Sequence, residues 1–147
     1  FDTVEHLHNL KEMLYEIRRV LKKKGRVFIT TQNISSLEFK LFRRNWPALD
    51  LPRHLYDFDA RNLKRLLSAC GFVICNLGYT VWPRAIVDCL GYLEEDLRER
   101  KRQARRCLVG MLLKHKAALL LFWRPLAMFL YFVGLSGGLK VVAKPKK

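Results

Sequence analysis

Acidic residues are scarce in this chain: 13 Asp and Glu stand against 28 Lys and Arg, leaving a net charge of +15 over 147 residues. Charge left so uncompensated suits an anionic partner, whether nucleic acid, a phosphate-bearing substrate or an anionic membrane surface. Paired cysteines are missing too. Cys70, Cys75, Cys89 and Cys107 make no CxxC and no Cys/His spacing suited to zinc, which excludes a zinc module. Scattered single cysteines fit a reducing cytosol, where they serve as small apolar groups. The opening FDTVEHLHNL has no methionine, basic region and apolar run, so it does not read as a secretory leader. Opening on Phe1, the sequence reads as a piece of something longer. It holds no internal repeat and no low-complexity tract.

What is present alternates. Leu7, Leu10, Leu14, Ile17 and Leu21 fall at three/four spacing and predict one face of a helix, with Lys22 to Lys24 at its end and Gly25 as a left-handed exit. RVFITTQN predicts a buried strand over Arg26–Thr31. Ser35 and Glu38 suit a capping box for a short helix ending near Arg44. Asp59 suits the cap of a third helix, with Leu63, Leu66 and Leu67 inward and Gly71 at the exit. A second strand is expected over Phe72–Trp82. This rhythm predicts an α/β sandwich with a mostly parallel sheet.

After Pro83 a helix with Leu90, Leu93 and Leu97 turns basic. From Arg98 to Lys116 there are eight Lys/Arg and one Glu. The apolar run 117–135 follows, near transmembrane length but interrupted by Arg124-Pro125. A mid-run charge and a proline predict two short helices meeting at Arg124. Leu139–Ala143 then reads as a strand.

Four stretches in fixed order, FDTVEHLHN, EIRRVLKKKGRVFITTQN, WPALDLPRHLYDFDARNLKRLLSACGF and GGLKVVAKPK, resemble the C-terminal half of class I S-adenosylmethionine-dependent methyltransferases. The UbiG-like (polyprenyl-quinol O-methyltransferase-like) small-molecule group is the nearest in pattern. The likeness covers about residues 1–82 and 137–145. It implies a Rossmann-like sheet in which the last strand, antiparallel, lies between the other two, with a helical, apolar insertion over 83–136 and a terminal strand and basic tail over 137–147. It also implies an outer strand edge left bare at Arg26–Thr31, and marginal stability of this piece alone. The family's Gly-rich cofactor turn is not in these residues, because Gly134, Gly137 and Gly138 precede a strand and not a helix. No cofactor-binding residue is therefore assigned. The implied reaction is methyl transfer from S-adenosylmethionine to an oxygen of a small or lipid-linked acceptor by a longer protein. The rival reading is a non-catalytic truncated relative that binds a membrane periphery or a partner.

The candidate residues follow from the resemblance and from their chemistry. Asp2, Glu5 and His6 sit where relatives hold a divalent metal such as magnesium, which would lower the pKa of a substrate hydroxyl. His6 is alternatively a general base, or Glu5 and His6 shape the cleft or cap the next helix. In the lid loop 45–58, Trp46, Arg53, His54 and Tyr56 are the candidate substrate contacts, with His54 also catalytic. The plain alternative pairs Arg53 with Asp50 or Asp57 and ties His54 to a backbone carbonyl. The basic and apolar third is a solvated helix face or a membrane-interfacial element, the latter placing the protein in the cytoplasm against the inner face of a membrane. Nucleic acid fits poorly, since no recognition motif accompanies the charge.

Overall fold

The computed structural model describes residues 3–146. A 3₁₀ turn, Val4–His6, leads into helix α1, Leu10–Val20. Leu10 and Leu14 are buried, and Leu7, Ile17 and Leu21 pack beside them. Leu7 does so from extended backbone, so the helix is shorter than its apolar spacing predicts. Strand β1 is Val27–Gln32 and helix α2 is Leu37–Phe42. The cap of α2 is Ser36, whose Oγ accepts the Phe39 N–H at 3.1 Å, and not the predicted Ser35. That one-residue shift turns Glu38 into the interior, where it is 2% exposed.

Helix α3, Ala60–Ala69, has the predicted start: Asp59 Oδ1 accepts from the Asn62 N–H, and Asn62 Oδ1 accepts from the Asp59 N–H. Gly71 leaves it at φ +80, a region that favours glycine. Gly25, by contrast, keeps negative φ. It is needed for space, since a Cβ there would meet Leu21 Cδ2 and the Lys22 carbonyl at 2.9 Å.

Strand β2 is Phe72–Thr80. Helices α4 (Ala85–Glu99), α5 (Gln103–Lys114) and α6 (Lys116–Phe132) fill the interval before strand β3, Gly138–Pro145. The sheet order is β1-β3-β2, with β3 antiparallel to both neighbours. This is the arrangement the resemblance implied. The mostly parallel sheet expected from element rhythm is corrected: β1 and β2 are not neighbours, because the last strand enters between them. β3 is the most buried strand, with Leu139, Val141 and Ala143 at 0% exposure. Among the described residues β1 pairs with β3 alone, and Phe28 on it is 61% exposed.

The two short helices expected around Arg124 are also corrected. Helix α6 runs unbroken through Pro125. An interior proline costs about 3 kcal/mol. Trp123, Ala127 and Leu130 bury one stripe of α6 against Ala85, Val81 and Leu135. At about 1.5–3 kcal/mol for each large side chain, that burial offsets the lost hydrogen bond. The chain breaks instead at His115, between α5 and α6.

Candidate active site

At the C-terminal end of β1 the backbone hands over from apolar to polar side chains: Thr31, Gln32 and Asn33 are all buried. In open α/β sheets such strand ends are where ligands bind. Buried polar groups here need partners: Thr31 also reaches Gln32 Oε1 at 2.7 Å, Asn33 Nδ2 donates to the Ser136 carbonyl before β3 at 2.8 Å, and the rest are met by the 3₁₀ turn and the lid loop. Thr31 Oγ1 donates toward Glu5 Oε2 at 3.1 Å, and Gln32 Nε2 donates to the Tyr56 carbonyl at 2.9 Å. The Leu55 N–H donates to the Glu5 carbonyl at 2.7 Å, pinning the loop to the turn.

Two imidazoles meet across that seam. His6 and His54 have ring centroids 4.6 Å apart at an angle of 59°. His6 Nδ1 lies 3.0 Å from the Arg53 carbonyl and His54 Nδ1 lies 2.8 Å from the Ala48 carbonyl. A carbonyl only accepts, so each neutral ring carries its proton on Nδ1 and presents Nε2 as a lone-pair nitrogen. One ligand atom each from Glu5, His6 and His54 lies within 4.8 Å of the other two. A cavity of about 260 Å³ opens beside them, lined by Glu5, Gln32, Pro47, Ala48, His54 and Trp82.

The structure thus joins His6 to His54 and to Glu5. Asp2 lies outside the described residues. Arg53 is placed apart: its side chain is 73% exposed and pairs with Asp50 at 3.2 Å, while only its carbonyl touches the cluster. Tyr56 donates its hydroxyl to the His8 carbonyl at 3.0 Å and lines a separate cavity with Leu10 and Phe58. Trp46 is 2% exposed, edge-on to Phe39 and stacked 6.3 Å from Trp82. Gln32, Ala48 and Trp82 were not singled out from sequence. The available signal was the polar pair Thr31-Gln32 at the end of a buried β-branched run.

Behind Trp82 two buried groups sit out of reach of solvent. Burial pushes the Cys89 thiol up to about 12, which makes it a structural group and not a nucleophile. Burial also raises the Glu38 carboxyl above its ordinary 4.5, against weaker opposite pulls from its own backbone, Ser36 and Gly137. Glu38 Oε2 finds no partner among the described residues. The folded state therefore prefers the protonated acid. Its contribution to stability is fully present below pH 4.5 and falls as pH rises through the folded-state value. Glu38→Gln is expected to gain about 1 kcal/mol at neutral pH. In urea titrations that gain should vanish below the ordinary carboxyl range; an equal gain at every pH would contradict this reading.

A family model described as a methyltransferase domain matches residues 1–77. A search of the curated proteins finds no match to the chain. Solved structures similar to it include a Galdieria sulphuraria protein assigned as a sarcosine dimethylglycine methyltransferase, 15% identical, covering 99% of this chain and 51% of that one at a TM-score of 0.48. The cyclopropane synthase MmaA2 from Mycobacterium tuberculosis is 12% identical, covering 97% and 53% at 0.48. Phosphoethanolamine N-methyltransferase 2 of Haemonchus contortus, solved with phosphomonomethylethanolamine and S-adenosylhomocysteine, is 15% identical, covering 99% and 32% at 0.43. The chain spans about half the length of the first two and a third of the last. On the family match, which takes in more than half of its residues and both histidines of the cluster, the chain belongs to the methyltransferase-domain family.

Proposed function

We propose that this chain forms the acceptor side of an S-adenosylmethionine-dependent methyltransferase acting on an oxygen of a small or lipid-linked molecule. The observation that carries the reading is the pair of Nδ1-anchored imidazoles, His6 and His54, beside Glu5 at the strand end. S-adenosylmethionine, when bound, supplies an electrophilic methyl group on a sulfonium. His54 lines the cavity, and its Nε2 takes the proton of an acceptor hydroxyl seated there. An acceptor oxygen deprotonated by His54 would be the nucleophile for that methyl group, whose carbon–sulfur bond would break with the electron pair staying on sulfur. Pro47, Ala48 and Trp82 wall the cavity with apolar surface and keep water from competing. His6 positions the lid by holding the Arg53 carbonyl.

A second reading has its own support. Glu5, His6 and His54 fit the donor set of a divalent cation, with each histidine's other nitrogen bound to a backbone carbonyl as metal-binding histidines require. A cation held there would lower the pKa of the acceptor hydroxyl in place of a base. The test is methyl transfer to catechol-like acceptors by the full-length protein, with the product identified by mass. Product with and without chelator supports the base reading. Product lost to chelator and restored by magnesium supports the metal reading, and no oxygen-methylated product overturns both.

A further inference from the structure

Helix α6 has a second face that the fold does not use. Leu121, Phe122, Met128, Phe129 and Phe132 recur at three/four spacing opposite the buried stripe, and they are 69%, 77%, 55%, 60% and 75% exposed. No charged residue interrupts them: Arg124 falls one position off the stripe. On α5, Leu108 and Met111 are 62% and 63% exposed. The two helices share an apolar groove of about 400 Å³, lined by Leu108, Met111 and Leu112 from one and Ala118, Leu119 and Phe122 from the other, with His115 at the corner. One continuous apolar surface results, wide enough to demand an occupant.

Charge says which occupant. No Asp or Glu follows Glu99. Arg102, Arg105, Lys114, Lys116 and Arg124, carried on or beside the same two helices, are exposed, and none of them is ion-paired among the described residues. A second copy docked face to face would set these cations against their own kind. No helix among the described residues is long and apolar enough to cross a membrane. Glu94 of α4 is the acid that faces α5, and it pairs with Arg106, not with these five. Aromatic and aliphatic residues on one face, with unpaired cations beside them and no acid on either helix, are the pattern of a helix pair lying in a bilayer interface.

We propose that α5 and α6 dock this protein on an anionic lipid bilayer, the apolar stripe entering the acyl boundary and the five cations meeting the headgroups. The proposal is independent of the methyl-transfer reading, because docking is read without turnover. It also gives the candidate cavity a route to acceptors that partition into lipid.

The test is flotation of the intact protein with vesicles of phosphatidylcholine alone or mixed with phosphatidylglycerol, alongside sedimentation velocity and thermal melting. Co-flotation with the mixed vesicles is expected, weaker on neutral ones and reduced by salt. Each of Arg102→Ala, Arg105→Ala and Lys116→Ala should lower partitioning about fivefold on the mixed vesicles. The triple variant Phe122→Glu, Phe129→Glu, Phe132→Glu should lose flotation and keep its melting temperature, since these side chains touch little of the fold. Three outcomes overturn the proposal. The wild type fails to float, the triple variant floats unchanged, or the triple variant melts early or dissociates a dimer. The last would show the face covered by the rest of the protein or by a second copy.

Discussion

His54→Ala should lower kcat by about 10²–10⁴-fold, the range of a lost general base, with KM little changed. The argument is geometric. His54 Nδ1 is committed to the Ala48 carbonyl at 2.8 Å, so Nε2, 4.0 Å from Asp50 Oδ2, is the nitrogen left for chemistry, and the ring lines the cavity. The side chain is 12% exposed, so solvent does not substitute freely for it. His54→Asn is the informative companion: its amide nitrogen stands where Nδ1 did and keeps a donor for the carbonyl but cannot take a proton, so loop position is preserved and turnover is not. Arg53→Ala is expected to change kcat less than tenfold, because the His6 contact is to the Arg53 backbone and the exposed guanidinium pairs with half-buried Asp50. A loss confined to KM in Arg53→Ala would restore that side chain as a substrate contact. Steady-state kinetics at saturating cofactor decides both, and an unaltered kcat in His54→Asn removes the base from the account.

Trp46→Ala is expected to cost about 3–5 kcal/mol of stability, the range for a buried aromatic truncated to a methyl. Trp46 is 2% exposed and joins Ala48 and Cys89 in a cluster closed by Phe39, Phe42 and Trp82. Removing it deletes an edge contact and a stacked contact, each worth about 0.5–1.5 kcal/mol beyond area burial. It also loosens the turn that carries Ala48, whose carbonyl fixes His54. Trp46→Ala should therefore lose stability and turnover together, whereas His54→Asn should lose turnover alone. Chemical denaturation measures the first quantity. A loss under about 1 kcal/mol would mean that the indole is not a core group and belongs to the ligand surface, as sequence reasoning had placed it.

The contrast between these residues shows where sequence was readable. Apolar periodicity located α1, α3 and β1 because their core faces repeat regularly: Leu10 and Leu14, Leu63 and Leu67, and the β-branched run of β1. Asp59 was legible as a cap because it stands just before the apolar face of α3, and the reciprocal pair with Asn62 forms there. Ser35 was read as the cap of α2 because Glu38 stands three residues on, but Glu38 is buried and Ser36 caps the helix instead. The unbroken α6 was hidden for the same reason. Local chemistry at Pro125 argues for a break, and burial of Trp123, Ala127 and Leu130 against distant residues overrules it.

The site was partly legible. His6 and His54 were both named, but nothing in sequence brings position 6 to position 54. The pairing Leu55 N–H to Glu5 carbonyl does that. Within the lid, PRHLYDF offered three candidate side chains, Arg53, His54 and Tyr56, and alternation alone could not sort them. In the fold His54 turns to the cavity, Arg53 to solvent, and Tyr56 to the carbonyl of His8.

The account rests on this chain being the acceptor half of a methyl-transfer site, and the most direct test is calorimetric titration of the full-length protein with S-adenosylmethionine. The prediction is saturable one-site binding, displaced by S-adenosylhomocysteine and retained in His54→Asn, because that residue acts on the acceptor and not on the donor. No binding by the folded full-length protein would contradict the account, leaving the histidine cluster without a methyl group to receive.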